Sequence, residues 1–264
     1  MGDDLFSVAG QVVLLSGASR GIGRGLAEGF ARRGATVIIT GRERASLEKT
    51  AREIAPPGGT VRAMVCDVAD SKAVDALVDR AYSELGRIDT LVNVAGVNRR
   101  MRAERLSEAD WDFILDINLK GAFLLSLAVG RRMLERGKGT QINITSLNND
   151  RPLLGVMPYA VSKSGLSQMT RALAMEWGPR GLRINAIAPG FILTDLTQKL
   201  WSQPKMKEWG LANTPLKRLG VPEDLVGAAV FLASEASRFM TGQTIFVDGG
   251  GSCGNAWPID FESQ

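Results

Sequence analysis

Tyr159 and Lys163 stand four residues apart in the run Tyr159-Ala160-Val161-Ser162-Lys163. On a helix they share one face, one turn from each other. A free phenol titrates near ~10 and is a poor acid–base catalyst at neutral pH. An ammonium held one turn away would stabilise the phenolate and draw that value toward the working range. Ser146 lies thirteen residues before the tyrosine, in polar sequence that follows the apolar segment Thr140–Thr145. A strand ending there and a helix beginning near Gly155 would deliver its hydroxyl to the tyrosine from the side. The chemistry open to such a trio is proton exchange with a substrate oxygen. The pair alone says little, because Tyr-x-x-x-Lys recurs on many solvated helices; its weight comes from the rest of the chain.

Composition removes several alternatives. The 264 residues contain no histidine, which excludes a histidine-based triad and leaves acid–base work to Tyr, Lys, Asp or Glu. The two cysteines, Cys66 and Cys253, build neither a disulfide framework nor a metal set, so no metal site is expected. A net charge of +4, spread along the sequence, gives little support to nucleic-acid binding. No apolar run approaches the roughly 18 residues of a spanning helix, and no membrane partner is expected. The start, Met1-Gly2-Asp3-Asp4, lacks a signal-peptide pattern. The expected location is cytoplasmic.

The elements that must position the trio follow in order. Val12–Leu15 reads as a buried strand and runs into Ser16-Gly17-Ala18-Ser19-Arg20-Gly21-Ile22-Gly23, after which Leu26 and Phe30 keep helical spacing. Strand, glycine-rich turn and helix together make a phosphate site: glycines let the backbone approach a pyrophosphate and the helix start supplies N–H donors. A second strand, Gly34–Thr40, ends at Gly41-Arg42. An acidic residue near that place would hold the ribose hydroxyls of NAD; here Arg42 and Arg20 suit a 2′-phosphate instead. NADP(H) is therefore the expected cofactor, with NAD(H) as the alternative. Further strands are expected at Val61–Cys66, Ile88–Gly96, Thr140–Thr145, Arg183–Ala188 and Thr244–Val247, with helices at Lys72–Leu85, from Ser107 through Met133, from near Gly155 to Trp177, and at Pro222–Ala233. Asp67, ending the third strand, could hydrogen-bond the adenine amino group.

Three stretches stand apart. Asn98-Arg99-Arg100-Met101-Arg102-Ala103-Glu104-Arg105 is the densest basic cluster and follows the carboxyl end of a strand, where open α/β sheets bind ligands. Either it is a solvated loop, or one or two of its arginines meet an anionic substrate, with Arg151 contributing from the opposite wall. Asn118 and Gly121 interrupt an otherwise apolar helix at a cost in propensity, a local inconsistency of the kind functional positions carry. Residues 191–221 lack clean periodicity and suit a lid. The tail, 249–264, carries Trp257 and Phe261 and is too apolar to be simply disordered. With no repeat and no linker, the chain reads as a single domain, 1–264.

The chain resembles the short-chain dehydrogenase/reductase family over nearly its whole length. The resemblance rests on Gly17-x-x-x-Gly21-Ile22-Gly23, Asp67, Asn93-Val94-Ala95-Gly96, Asn118, Ser146, Tyr159-x-x-x-Lys163 and Pro189-Gly190; the second motif usually has asparagine where Val94 stands. It implies an α/β fold, a Rossmann-type doubly wound parallel sheet of about seven strands with helices on both faces. It also implies hydride transfer between a nicotinamide and a carbonyl carbon. Tyr159 would be the proton donor or acceptor, Ser146 would bond the same oxygen, Lys163 would lower the tyrosine pKa and hold the nicotinamide ribose, and Asn118 would position a relay water. Cofactor contacts are expected from Gly17, Ser19, Arg20, Gly21, Ile22, Gly23, Arg42, Asp67, Val68, Asn93, Ala95, Gly96, Pro189, Gly190, Ile192 and Thr194, the last at the carboxamide or pyrophosphate. Substrate contacts are expected from Asn98, Arg99, Arg100, Asn148 and Arg151 beside Ser146 and Tyr159. Val97–Arg100 is similar to the sugar-acid members, the gluconate 5-dehydrogenases and deoxygluconate dehydrogenases, so a small anionic carbonyl compound is the expected substrate. Alternatives are a 3-oxoacyl-(acyl carrier protein) reductase, a general ketone reductase, or a non-catalytic NADP(H)-binding regulator. The family also implies a homotetramer, a state that an apolar tail would suit.

Overall fold

The computed structural model describes residues 4–254; Trp257 and Phe261 of the expected interface tail lie outside them. Seven strands form one parallel sheet: β1 Val12–Ser16, β2 Thr36–Gly41, β3 Val61–Val65, β4 Thr90–Asn93, β5 Gly139–Ile144, β6 Leu182–Pro189 and β7 Thr244–Val247. Their spatial order is β3-β2-β1-β4-β5-β6-β7. The order reverses between β1 and β4, and that switch point opens a crevice at the carboxyl ends of the strands.

Alternation along β1 shows how the layers assemble. Val13 and Leu15 enter one core with Leu26 and Phe30 of α1 (Gly21–Ala31), Leu47 of α2 (Arg44–Ile54) and Val226 of α9 (Val226–Ala233). Val12 and Leu14 enter the other, with Leu77 of α3 (Ser71–Leu85), Leu125 and Val129 of α5 (Gly121–Arg136) and Trp177 of α6 (Met157–Trp177). A parallel strand covered on both faces reads as a continuous apolar run, as Val12–Leu15 does.

The helix expected from Ser107 through Met133 is continuous but not uniform. α4 (Glu108–Leu115) passes through a π-helical turn, Asp116–Lys120, into α5. Asn118 sits in that turn, fully buried. The 29-residue run Glu108–Arg136 is apolar and long enough by composition to cross a membrane, which the sequence reading did not anticipate. In the fold its apolar face is spent on the sheet and on α3. Segment 191–221 contains two short helices, α7 (Gln198–Trp201) and α8 (Pro204–Ala212). Phe191 sits between Trp201 and Trp209 in tilted contacts, with ring centroids 5.3 and 5.2 Å away. The helix expected at Pro222–Ala233 begins instead as a 3-10 turn, Pro222–Leu225, ahead of α9.

Candidate active site

The phosphate turn is built by close backbone approach. Gly17 has φ +62°, and a methyl group on it would fall 2.6 Å from the Cα of Ala95; one on Gly23 would fall 2.4 Å from the carbonyl oxygen of Gly17. Neither position admits a side chain. Ser16 Oγ accepts from the N–H groups of both Val94 and Ala95, at 3.0 and 3.2 Å, which fixes the two sides of the switch point. Arg20 stands at the N-cap of α1 in extended conformation and makes no side-chain cap bond. The first-turn amides of α1 are thus without a cap from the residue that precedes them, the condition that suits a phosphate. Arg20 and Arg42 are both exposed, and neither has a carboxylate partner among the described residues. Thr194 closes the other side: its Cβ would be 3.5 Å from a Cβ on Gly21. Donor amides, a glycine surface and two unpaired guanidiniums fit a dinucleotide with a 2′-phosphate.

Other expected cofactor residues are placed as follows. Ser19 accepts Thr50 Oγ1 on its carbonyl, Ile22 packs on the core, and Asp67 accepts the Ala69 N–H. Buried Val68 presses against Gly121, where a Cβ would come within 2.7 Å. Pro189 ends β6, and Gly190 lies against Asp248. Ile192 is buried and forms an isolated bridge to Gly220. Asn93 turns inward: its Nδ2 donates to Ser126 Oγ and Asn143 Oδ1, both at 2.9 Å. That side chain ties β4 to β5 and α5.

The catalytic candidates converge at the next strand ends. Asn118 Oδ1 accepts the Val97 N–H at 2.7 Å, while Nδ2 donates to Val97 O and to Ser162 Oγ at 2.9 and 3.0 Å. Ser162 Oγ in turn donates to the Tyr159 carbonyl at 2.7 Å. Sequence reasoning missed Ser162 as a link; its place inside Tyr-x-x-x-Lys was the only signal. Lys163, 3% exposed, donates to the carbonyl of Ile144 at 2.7 Å. A Cβ on Gly96 would lie 3.4 Å from Asn118 Oδ1 and 3.5 Å from Lys163 Nζ, so Gly96 leaves open the space between them. Ser146 stands beside the Tyr159 phenol, whose pKa it lowers, and its Oγ accepts from the Asn148 N–H and Nδ2 at 3.1 and 3.2 Å.

The electrostatics add to one expectation. Burial pushes the Tyr159 phenol above its ordinary value, and the Ser146 hydrogen bond and the charge of Arg100 pull it back. Burial also lowers Lys163 to about 8, and its Nζ stands 5.8 Å from the Tyr159 ring centroid. Arg100 thus adds an acidifying charge at the phenol that helical spacing alone did not point to. A buried ammonium is disfavoured by desolvation, yet at about 8 Lys163 still carries its proton at neutral pH.

The expected substrate arginines separate. Arg99 is committed to Asp110 at 2.5 Å and lies 4.1 Å over the Phe113 ring. Ser107, the N-cap of α4, also bonds Asp110, and these contacts together hold that carboxyl at about 2. Arg151 donates to the carbonyls of Gly251 and Gly254. Arg100 is exposed, with no carboxylate partner among the described residues, and its charge reaches the Tyr159 hydroxyl. The loop carrying it is held at both ends, by Asn118 at Val97 and by the Met101 N–H donating to Gly155 O at 2.8 Å. Asn98 Oδ1 in the same loop is buried with no partner among the described residues.

Residues 17–252 match the family model described as enoyl-(acyl carrier protein) reductase. The chain is 41% identical to gluconate 5-dehydrogenase of Gluconobacter oxydans over 94% of its length and 96% of that protein. It is 40% identical to D-threitol dehydrogenase of Mycolicibacterium smegmatis, covering 93% of this chain and 94% of the other. The crystal structure of a gluconate 5-dehydrogenase from Burkholderia cenocepacia in complex with NADP and tartrate superposes with a TM-score of 0.92 at 37% identity, covering 95% of this chain and 98% of that one.

Proposed function

This chain belongs to the short-chain dehydrogenase/reductase family, and we propose that it interconverts a secondary alcohol and a ketone with NADP(H), acting on a sugar acid or similar small anionic carbonyl compound. The observation that carries the chemistry is Ser146, Tyr159 and buried Lys163 gathered beyond the carboxyl end of β5, where Lys163 donates to the carbonyl of Ile144 at 2.7 Å. In reduction Tyr159 gives its proton to the substrate oxygen, which Ser146 also bonds. The bound cofactor supplies the hydride that completes the carbinol. Lys163 would hold the nicotinamide ribose hydroxyls, and Asn118 would position a relay water that returns the proton. Arg20 and Arg42 hold the 2′-phosphate; NAD(H) would leave both unpaired.

Arg100 is the substrate anchor in this reading, since it keeps no carboxylate among the described residues and, within the basic cluster, its charge is the one that reaches Tyr159. The relative named for D-threitol supports a second reading, in which a neutral polyol occupies the same place. A homotetramer is consistent with exposed Phe123 on α5 and Val161 on α6. NADPH oxidation assayed with 5-keto-D-gluconate, a 3-oxoacyl thioester and neutral ketones separates the options. The keto acid should be preferred, and Arg100→Ala should raise its KM about tenfold, the size of one lost charge-assisted contact, while leaving the KM for neutral ketones unchanged. Equal turnover of neutral ketones with a silent Arg100→Ala would leave the neutral-substrate reading standing.

A further inference from the structure

The chain beyond β7 forms a strap across the site. Asp248 turns it back, its carboxylate accepting from the N–H groups of Gly250 and Ser252 at 2.9 and 2.7 Å. The strap is fixed underneath, where Gly190 N–H donates to Val247 O at 3.1 Å. It meets the far end of segment 191–221 where the Leu216 N–H donates to Gly249 O at 3.1 Å. On the other side Arg151 Nη1 donates to Gly251 O at 2.6 Å and to Gly254 O at 2.7 Å. Arg151 is itself seated in the turn that Ser146 opens, its N–H donating to Leu147 O at 3.0 Å. A hydrogen-bonded path therefore runs from the Ser146 turn, through one guanidinium and the strap, to Leu216.

The geometry points to Arg151 as a positioning residue: by holding the strap Asp248–Gly254 it ties the end of the 191–221 segment to the Ser146 turn, and so sets substrate affinity rather than serving as a ligand of the substrate. This rests on the carbonyl-reductase reading above. A guanidinium suits the task because its planar array of donors can serve several carbonyls at once, which an ammonium on a flexible stem does less well. The strap is rich in glycine, and Cys253 and Gly254 are exposed. Hydrogen bonds rather than apolar packing therefore hold its outer end, and such a segment opens locally at little cost. Loosening it lets the segment that ends at Leu216 stand open, and a lid that closes less readily weakens substrate binding.

Amide exchange and steady-state kinetics of the full chain, compared among wild type, Arg151→Ala and Arg151→Lys, test this. In Arg151→Ala, exchange at Gly249–Gly254 and at Leu216 should accelerate about tenfold or more, the loss of roughly one charged hydrogen bond's worth of local protection. KM should rise about tenfold for anionic and neutral carbonyl substrates alike, with kcat within about threefold and NADPH affinity within about twofold. Arg151→Lys should recover part of both effects, which a misfolded protein would not. Unchanged exchange would overturn the proposal, as would faster exchange with unchanged KM. A KM rise confined to carboxylate-bearing substrates would make Arg151 a direct ligand and likewise overturn it. If wild type turns over no carbonyl compound, the functional reading fails, while exchange at Leu216 in Arg151→Ala still decides for or against the tie.

Discussion

Two helices begin beside the crevice, and they begin in opposite ways. α4 supplies its own start: Ser107 and Asp110 form a reciprocal capping box, and Arg99 lands on the same carboxylate. α1 does not: Arg20 provides no side-chain cap, glycines line the turn, and the guanidiniums of Arg20 and Arg42 have no carboxylate partner among the described residues. A helix start that satisfies its own amides has no call on a ligand, whereas one that leaves donors and cations open is arranged for an anion. The same division runs through the rest of the site. Asn93 and Arg99 are consumed by the fold, while Tyr159 and Arg100 keep their polar ends for something else.

Substitutions on the open side should damage function and those on the consumed side should damage stability. The two largest effects are expected at Tyr159 and Lys163; Tyr159→Phe should lower kcat by roughly 10²–10⁴, the usual share of general acid–base catalysis. Its NADPH affinity, followed by fluorescence titration, should be nearly unchanged; turnover within tenfold of the parent would remove Tyr159 from the open class. Lys163 is next, and here the two classes meet in one side chain. Its native pKa of about 8 lies below the ordinary 10.5. Below pH 8 the native state carries the whole cost of burying the ammonium. Between pH 8 and about 10.5 the unfolded chain binds more protons than the native one, so stability rises with pH in that window. Lys163→Met should abolish turnover, flatten that slope in denaturant titrations, and stabilise the ligand-free protein at pH 7 by about 2 kcal/mol, somewhat less than the shift itself represents. A steeper slope in the variant would contradict the assignment.

Smaller effects separate the two helix starts directly. Arg42→Asp should move the ratio of kcat/KM for NADPH over NADH toward NADH by about tenfold, as expected for losing one guanidinium–phosphate contact. An unchanged ratio would take Arg42 out of the cofactor site. Ser107→Ala should do the reverse, costing about 1 kcal/mol of stability through the lost cap while leaving both cofactor and substrate kinetics as they were. Arg100→Ala adds a sign that Arg99→Ala should lack. Removing a charge that lowers the Tyr159 pKa raises that pKa, so the pH profile of alcohol oxidation, which needs the phenolate, should move to higher pH. A profile that stays in place would mean that Arg100 acts on the substrate alone.

Much of this fold is written in short-range pattern. Val12–Leu15 reads as a buried strand because both faces of a parallel sheet are covered, and the glycines at 17 and 23 announce backbone approaches that no side chain would permit. The Asn118–Gly121 discord, read as a sign of function, coincides with a π-helical turn, Asp116–Lys120, that propensity alone did not foretell. Arginine partners were not legible. Arg151 finds its carbonyl acceptor 100 residues away, and nothing local distinguishes it from Arg99 or Arg100. The downward shift of Lys163 escaped for a related reason: helical spacing brings it near Tyr159 but does not report its burial. The short helices of 191–221 escaped because one or two turns give too little period to detect.

The central claim is that hydride and proton reach one carbonyl group together, the proton from Tyr159. Single-turnover reduction of 5-keto-D-gluconate with NADPH carrying deuterium at both C4 positions tests it most directly. One deuterium should appear on the new carbinol carbon with wild-type protein, and Tyr159→Phe, loaded with the same cofactor, should yield almost none. Deuterium transferred equally well by Tyr159→Phe would contradict the account.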